Sequence, residues 1–161
     1  MRYSKQLILF LLACALCACE GSFRSNVPMY PVNLKIDTRM GSFVHFKPEA
    51  VGTYIIADQE GYHHNGNLVV RTVLDAYGYG GVIVYIDFSN QYNAWDLACP
   101  YCAIHGRCAP CTIDGFYAIC PHCEEAYELS AGTAHPTKGK AHETLRRIPL
   151  INSDGVLIIR Q

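Results

Sequence analysis

The spacing of the cysteines constrains this chain more than any other feature. Six of the nine cysteines form three C-x-x-C pairs in the stretch CPYCAIHGRCAPCTIDGFYAICPHC, from Cys99 to Cys123. A C-x-x-C loop lets two thiolates converge on one metal ion, and two such loops complete a tetrahedron of sulfur. The outer pairs have 17 residues between Cys102 and Cys120, within the window of about 15 to 20 that is typical of such sites. We therefore predict a metal site of Cys99, Cys102, Cys120 and Cys123.

The middle pair, Cys108 and Cys111, lies between the outer pairs beside glycine and proline, which predicts an exposed loop. In an exported protein a disulfide is the ordinary state of such a pair, and we expect it here in preference to a second metal site. An exchange-active dithiol is an alternative, because this spacing lowers a thiol pKa. A disulfide framework of all six cysteines is a further alternative, but it would close only short loops, where the entropic gain is least.

The N-terminal residues have the pattern of a secretion signal. Arg2 and Lys5 precede an apolar run over residues 7–18. The run is too short for a membrane span, which needs about 20 apolar residues, but it suits the core of a signal peptide. A short buried helix is the alternative. Because no later segment approaches the length of a span, we expect a chain that does not cross the membrane.

The signal-like run ends in Leu16-Cys17-Ala18-Cys19, which resembles a bacterial lipobox. This pattern predicts that residues 1–18 are removed and that Cys19 is acylated, whereas a plain signal peptide cut nearby is the alternative. Residues 19–29 are small and polar, as expected of a tether. We therefore expect the membrane as a partner, through lipid on Cys19, and a place in the cell envelope, on the outer membrane of a Gram-negative bacterium.

The rest of the chain has β-type patterns. Val32, Leu34 and Ile36 alternate with polar residues, and the runs GTYIIAD, NLVVRTVL and VIVYIDF follow, with the turn-like QEGYHHNGN between the first two. An Asp154-Gly155 pair predicts a hairpin near the end. No stretch keeps helical periodicity over a dozen residues. We therefore predict one all-β domain over residues 30–161, a small antiparallel sandwich or barrel.

Individual side chains are also predicted from these patterns. One face of the strand VIVYIDF carries alternating apolar residues and includes Phe88. The loop patterns predict exposed polar side chains for four histidines: His63, His64, His135 and His142.

Composition excludes some functions. The chain has 13 basic and 14 acidic residues, a formal net charge of −1, so nothing in its charge favours a nucleic-acid partner. Its sequence also has no nucleophile with a neighbouring base, no phosphate loop and no paired carboxylates in a recognisable frame. We therefore predict no catalytic residues and a chain that is not itself an enzyme.

The segment that follows Cys120 resembles the second half of a Rieske iron–sulfur domain. An aromatic, an acidic residue, glycines, an alanine and a leucine fall at the positions of that pattern: Tyr127, Glu128, Gly132, Gly139, Ala141 and Leu145. Upstream, Trp95-Asp96-Leu97 stands where an aromatic–aspartate pair leads into the first cysteine loop. The resemblance covers residues 78–160. The chain also resembles Rieske-like lipoproteins of the Bacteroidetes. It implies a small β domain with two metal-binding loops.

The chain departs from the Rieske pattern at the ligands. That pattern has histidines where this sequence has Tyr101 and Cys123, so the resemblance implies a 2Fe-2S cluster held by Cys99, Cys102, Cys120 and Cys123. A cluster with four cysteines is expected near −400 mV, about the potential of plant-type ferredoxins. The chain would then be an electron-transfer module, part of an oxidoreductase system, with a redox partner protein.

Two further departures affect the loops themselves: Glu124 replaces a glycine and Lys140 replaces a proline. His105 and His122 spell the Rieske spacings in reverse order, and we expect His122 to lie beside the site or to face solvent. The alternative to the cluster is one zinc, or one iron, held by the same four cysteines in a non-redox envelope protein. Spacing alone does not separate the two.

Overall fold

The structure is a computed structural model that describes residues 25–106 and 108–161. The predicted signal peptide and Cys19 lie outside the described residues. Within them, the chain forms thirteen strands, a five-residue α-helix and a short 3₁₀ turn. The strands are β1 (Val32–Asp37), β2 (Tyr54–Ala57), β3 (Gly61–His64), β4 (Asn67–Val70), β5 (Ala76–Tyr77), β6 (Val82–Ile86), β7 (Tyr92–Asp96), β8 (Thr112–Asp114), β9 (Tyr117–Ile119), β10 (Ala126–Glu128), β11 (His135–Lys138), β12 (Leu150–Ser153) and β13 (Val156–Arg160). The helix α1 spans Pro100–Ile104 and the 3₁₀ turn spans Gly41–Phe43.

The strands pair antiparallel in three sheets, which confirms the predicted all-β class. The first sheet has the order β12-β13-β1-β5, the second β4-β3-β2-β6-β7 and the third β11-β10-β9-β8. The predicted hairpin joins β12 to β13, with positive φ at both Asp154 and Gly155. Strand β1 pairs with β13 from Asn33 opposite Arg160 to Asp37 opposite Val156. The two ends of the described domain therefore meet in one sheet.

The second sheet lies between two hydrophobic cores. All five residues of β6 are buried, because alternate side chains point to opposite faces of a strand and both faces are covered. Val84 and its neighbours on one face pack in the first core, and Ile83 and Tyr85 on the other face pack in the second core. The first core includes Leu34, Ile36, Phe46, Ile55, Val84, Ile148, Leu157 and Ile159. The second includes Trp95, Leu97, Cys99, Cys102, Cys111, Cys120, Tyr127, Leu129 and Leu145.

Two side-chain predictions are wrong. The turn-like stretch contains β3, and His64 is buried, with 4% of its surface exposed. Its Nδ1 lies 2.9 Å from the carbonyl oxygen of Tyr54, and its ring meets that of Phe46 edge-on. The strand β6 ends before Phe88, which is 60% exposed. The cause is Asp87, whose carboxylate accepts N–H bonds from the next turn.

The other three histidines have exposed or half-buried side chains. His63 is half-buried on β3, with its Nε2 3.1 Å from a carboxylate oxygen of Asp58. His135 opens β11 and is exposed, as is His142. Among the residues that the structure describes, none belongs to a helix long and apolar enough to cross a membrane.

Candidate metal centre

The fold brings the four predicted ligands together. The sulfurs of Cys99, Cys102, Cys120 and Cys123 all lie within 4.8 Å of one another. Two contacts join one loop to the other: 3.6 Å between the sulfurs of Cys99 and Cys123, and 3.5 Å between those of Cys102 and Cys120. Three of these residues are buried, and Cys123 is partly exposed. The two C-x-x-C loops therefore form one shared site.

The first cysteine loop is a short helix. Cys99 follows β7 in extended conformation and caps α1, and Pro100 occupies the first position of the helix, where its missing N–H costs nothing. The backbone carbonyl of Cys99 accepts the N–H of Ala103 at 3.0 Å. This single helical turn carries Cys102 back beside Cys99, so that both sulfurs point to the same place.

Asp96 fixes the approach to this helix. Its buried carboxylate accepts N–H bonds from Tyr79, Gly80 and Ala98, at 2.8, 2.9 and 2.9 Å. Burial raises the pKa of this carboxyl, and the three N–H groups act against that shift. A side chain at Gly78 would collide with the carboxylate, because a Cβ there would lie 2.6 Å from Oδ2. Asp96 therefore ties the loop after β5 to the start of the metal site.

The second cysteine loop is a tight turn between β9 and β10. The carbonyl of Cys120 accepts the N–H of Glu124 at 3.0 Å, and the N–H of Cys120 donates to the carbonyl of Glu125 at 2.9 Å. Glu124 has φ of 58°, a left-handed conformation that favours glycine. The glutamate therefore occupies a backbone position in this turn that glycine adopts more readily.

Sequence reasoning missed Glu125. This residue is almost fully buried, and its carboxylate accepts the N–H groups of Lys140 and Ala141. Gly139, with φ of +109°, leaves the room for it, since a Cβ there would lie 2.1 Å from Oε2. Glu125 therefore holds the loop after β11 against the second cysteine loop. The only signal in the sequence is an acidic residue next to Cys123 together with the glycine at 139.

Tyr127 contacts a ligand directly. Its hydroxyl lies 3.3 Å from the sulfur of Cys99, across the second core. The sequence pattern predicted an aromatic residue at this position. It did not predict that the tyrosine hydroxyl contacts a cysteine sulfur. Burial and the bond to Cys99 both raise the pKa of Tyr127, so the phenol keeps its proton and would donate it to a metal-bound thiolate at Cys99.

Burial controls the charge of the thiols. It raises the pKa of Cys102 to about 12, and it also raises the pKa of Cys123. Burial acts the same way on Cys120, but backbone N–H groups of His122 and Cys123 donate to its sulfur and leave its pKa lowered. Four thiolates cannot be buried side by side without a compensating cation. A metal ion supplies that charge, and its binding would release protons.

The middle cysteine pair lies apart from the four ligands. Cys108 is half-buried and Cys111 is buried in the second core. The predicted exposed loop is therefore wrong for Cys111, because its N–H bonds to the carbonyl of Leu97 at 2.8 Å and draws it inward. Cys108 donates to the carbonyl of Cys99 at 3.5 Å. The disulfide between the two stays a prediction.

The metal site has one face near solvent. His105 and His122 are both exposed, as expected for His122. With Tyr101 they line a shallow pocket whose floor is formed by Cys102 and Cys123. Neither imidazole belongs to the group of four ligands.

The chemistry of these donors fits a metal. Four cysteine sulfurs in a tetrahedral arrangement suit zinc or iron. With zinc–sulfur bonds of about 2.3 Å, two sulfurs of one tetrahedron are about 3.8 Å apart. The observed sulfurs are within 4.8 Å of one another, which is close to the sulfur–sulfur distance of such a tetrahedron. The residues therefore form a four-cysteine site that could hold a metal.

Comparison with known proteins gives little more. No protein-family model matches this chain, and no curated protein matches it. The matching solved structures include a ferredoxin of Sphingomonas yanoikuyae B1, which is 13% identical. That match covers 80% of this chain and 98% of the ferredoxin, with a TM-score of 0.41.

Proposed function

We propose that this chain is a lipid-anchored protein of the cell envelope with a Rieske-like β domain, in which four cysteines hold one zinc ion. The ligands are Cys99, Cys102, Cys120 and Cys123. The observation that carries the proposal is the mutual distance of their sulfurs, all within 4.8 Å. The ion closes the second core and has a structural role.

The sulfur distances favour one ion over a 2Fe-2S cluster. A cluster of that kind has two irons, each bound by two of the four ligands. Sulfurs on different irons are then kept apart by the irons and their bridging sulfides, and they lie farther from each other than the edge of a single tetrahedron. In this chain no two of the four sulfurs are more than 4.8 Å apart. All six pairs fit around one centre.

A closed site of four protein ligands is typical of structural zinc, because no position is left for water or substrate. Here the ligands come from the ends of β7 and β9, which belong to different sheets. One ion would therefore fasten the third sheet to the second. It would also neutralise the thiolates that are buried among apolar side chains.

A second candidate is an electron-carrying iron centre, either mononuclear or 2Fe-2S, that serves a redox partner protein. Donors to sulfur favour it: the hydroxyl of Tyr127 on Cys99, and backbone N–H groups on Cys120. Such hydrogen bonds set the potential of an iron–sulfur centre. The pocket beside Cys123 would then be the place of contact with the partner.

The anchor is supported by the sequence alone. The Leu16-Cys17-Ala18-Cys19 pattern follows a signal-like run, and acyl chains hold a protein to a bilayer by about 0.8 kcal/mol per buried CH₂. Cys19→Ala should move the protein from the membrane fraction to the soluble fraction. Unchanged membrane association of this variant would reject the lipobox.

The decisive experiment is metal and acid-labile sulfide analysis of the full chain, purified without oxygen, with a visible spectrum. We expect one zinc per chain, no sulfide and no colour. Two irons with two sulfides would overturn the zinc proposal and establish the cluster. One iron without sulfide would retain the single ion but make it a redox centre.

A further inference from the structure

An exposed apolar surface lies where the chain enters the described domain. Val73 is 97% exposed and Leu74 is 77% exposed, on the loop between β4 and β5. We name this surface the apolar face; its exposed members are Tyr30, Val70, Val73, Leu74 and Tyr79. Contiguous exposed apolar side chains of this kind mark a contact with another molecule or with a membrane.

The members of the apolar face come from two segments that are bonded together. The rings of Tyr30 and Tyr79 are 5.2 Å apart. The N–H of Gly78 donates to the carbonyl of Pro31 at 3.0 Å, and the side chain of Asn33 donates to the carbonyl of Leu74 at 2.8 Å. The start of β1 and the loop of residues 70–79 therefore form one surface.

The loop that carries Val73 and Leu74 is a built turn. The carboxylate of Asp75 accepts the N–H of Thr72 at 2.7 Å, and the N–H of Asp75 returns to the carbonyl of Thr72 at 3.2 Å. These bonds hold Val73 and Leu74 at the tip, pointing away from both cores. The local backbone therefore keeps the side chains of Val73 and Leu74 in solvent. In this conformation neither side chain is able to reach a hydrophobic core of the domain.

The flank of the apolar face carries a cation and aromatic hydroxyls. Arg71 is exposed, its guanidinium lies 5.7 Å from the ring centre of Tyr77, and its Nε donates to the carbonyl of Gln59. Aliphatic side chains beside tyrosine and arginine suit the boundary between acyl chains and lipid headgroups. A partner protein with a purely apolar surface would have no group that pairs with the guanidinium of Arg71.

The length of chain before the domain sets how close a membrane must be. Five residues lie between Cys19 and Ser25, and the chain from one to the other spans at most about 20 Å when fully extended. Beyond Ser25 the chain is attached to the domain, because Asn26 bonds to Glu143 and Val27 is buried. Tyr30 follows three residues later and belongs to the apolar face. Lipid on Cys19 would therefore lie within reach of this face.

We infer that the apolar face rests on the bilayer that holds the lipid anchor, with Val73 and Leu74 inserted at the headgroup boundary. The inference rests on the anchored state in the proposed function, and it is independent of the metal. Its consequence is a fixed orientation: the domain lies against the membrane at the β5 edge of the first sheet. Two membrane signals, lipid and apolar side chains, would act together.

Tryptophan quenching tests this inference with the full-length, lipid-bearing chain in vesicles of brominated phosphatidylcholine and phosphatidylglycerol. Leu74→Trp is compared with Ile151→Trp, which is equally apolar and 64% exposed but lies on β12, at the opposite edge of the first sheet. The native Trp95 is buried and gives a constant background. We expect at least twofold stronger quenching at residue 74 than at residue 151.

Equal quenching at residues 74 and 151, in a chain that stays with the vesicles, overturns the inference and leaves the anchor intact. A wild-type chain that does not enter the membrane fraction overturns the anchored state and the inference together. A second copy is the other occupant to test: a dimer in sedimentation that Leu74→Asp converts to a monomer, without lipid, would assign the face to self-association and also overturn the inference.

Discussion

The two hydrophobic cores of this protein differ in what fills them. The first core consists of aliphatic and aromatic side chains from the first and second sheets, with the fully buried Ile36, Phe46 and Ile55 among them. In the second core four cysteines are buried, and the carboxylates of Asp96 and Glu125 lie buried beside it. Apolar burial stabilises the first core directly, at about 25 cal/mol per Å². The second contains groups that are costly to bury unless they are bonded.

The stability of the two cores has different origins. The carboxylates beside the second core are matched by backbone N–H groups, whereas its thiols bond to each other, to Tyr127 and, at Cys120, to backbone N–H groups. We therefore expect the second core to depend on the metal and the first core to be independent of it. Four predictions test this difference.

The largest effect is expected for Cys120→Ser. Loss of one buried ligand should abolish metal binding, and structural zinc contributes about 10–16 kcal/mol at neutral pH. Amide hydrogen exchange of β9 and β10 should rise to unfolded rates while β1 and β13 stay protected. Cys108→Ser is the matched control and should keep the metal. Loss of metal in that control would show that the ligands were assigned to the wrong pair.

In the first core, Ile36→Ala should lower the free energy of unfolding by about 2–5 kcal/mol, because it leaves a cavity in tightly packed aliphatic surroundings. Metal content should stay at one ion per chain, measured together with denaturant unfolding. Ile151→Ala, at an exposed position on β12, is the control and should change stability little. Metal loss from Ile36→Ala would mean that the two cores are not separable.

A smaller effect is expected for Tyr127→Phe. This variant keeps the ring in the second core but removes the hydroxyl 3.3 Å from the sulfur of Cys99. Loss of a partner of this kind lowers metal affinity by roughly 10-fold or more, which competition with a chelator would measure. Tyr117→Phe, on the exposed side of β9, should leave the affinity unchanged. Equal affinities in the two variants would contradict a bond to the ligand.

The smallest effect is expected outside both cores, at Asp37. The side chain and N–H of Arg39 bond to this carboxylate and lower its pKa to about 2. An unfolded aspartate has a pKa of about 3.9, so the contribution is present above pH 4 and is lost as the pH falls toward 2. Arg39→Ala should flatten the dependence of stability on pH in that window. An unchanged slope would show that the exposed pair contributes nothing.

Sequence reasoning succeeded where the determining contacts are local. The clustering of Cys99, Cys102, Cys120 and Cys123, the Asp154-Gly155 hairpin and the alternation in β1 are each specified within a few residues or by a fixed spacing. It failed for His64 and Cys111, whose burial depends on residues outside their own segments: Tyr54 and Phe46 around His64, and Leu97 beside Cys111. Glu125 was missed for the same reason, since its partners are 15 and 16 residues further on.

The pairing of β1 with β13 also sets an order of assembly. All four metal ligands lie between residues 99 and 123, so their loops can close soon after that stretch is synthesised. Strand β1 cannot form its longest pairing until residues 156–160 are available. The cysteine loops, which are local in the chain, would therefore close before the first sheet does. Closure of the first sheet would then be a late step of folding, since it joins the two ends of the described domain.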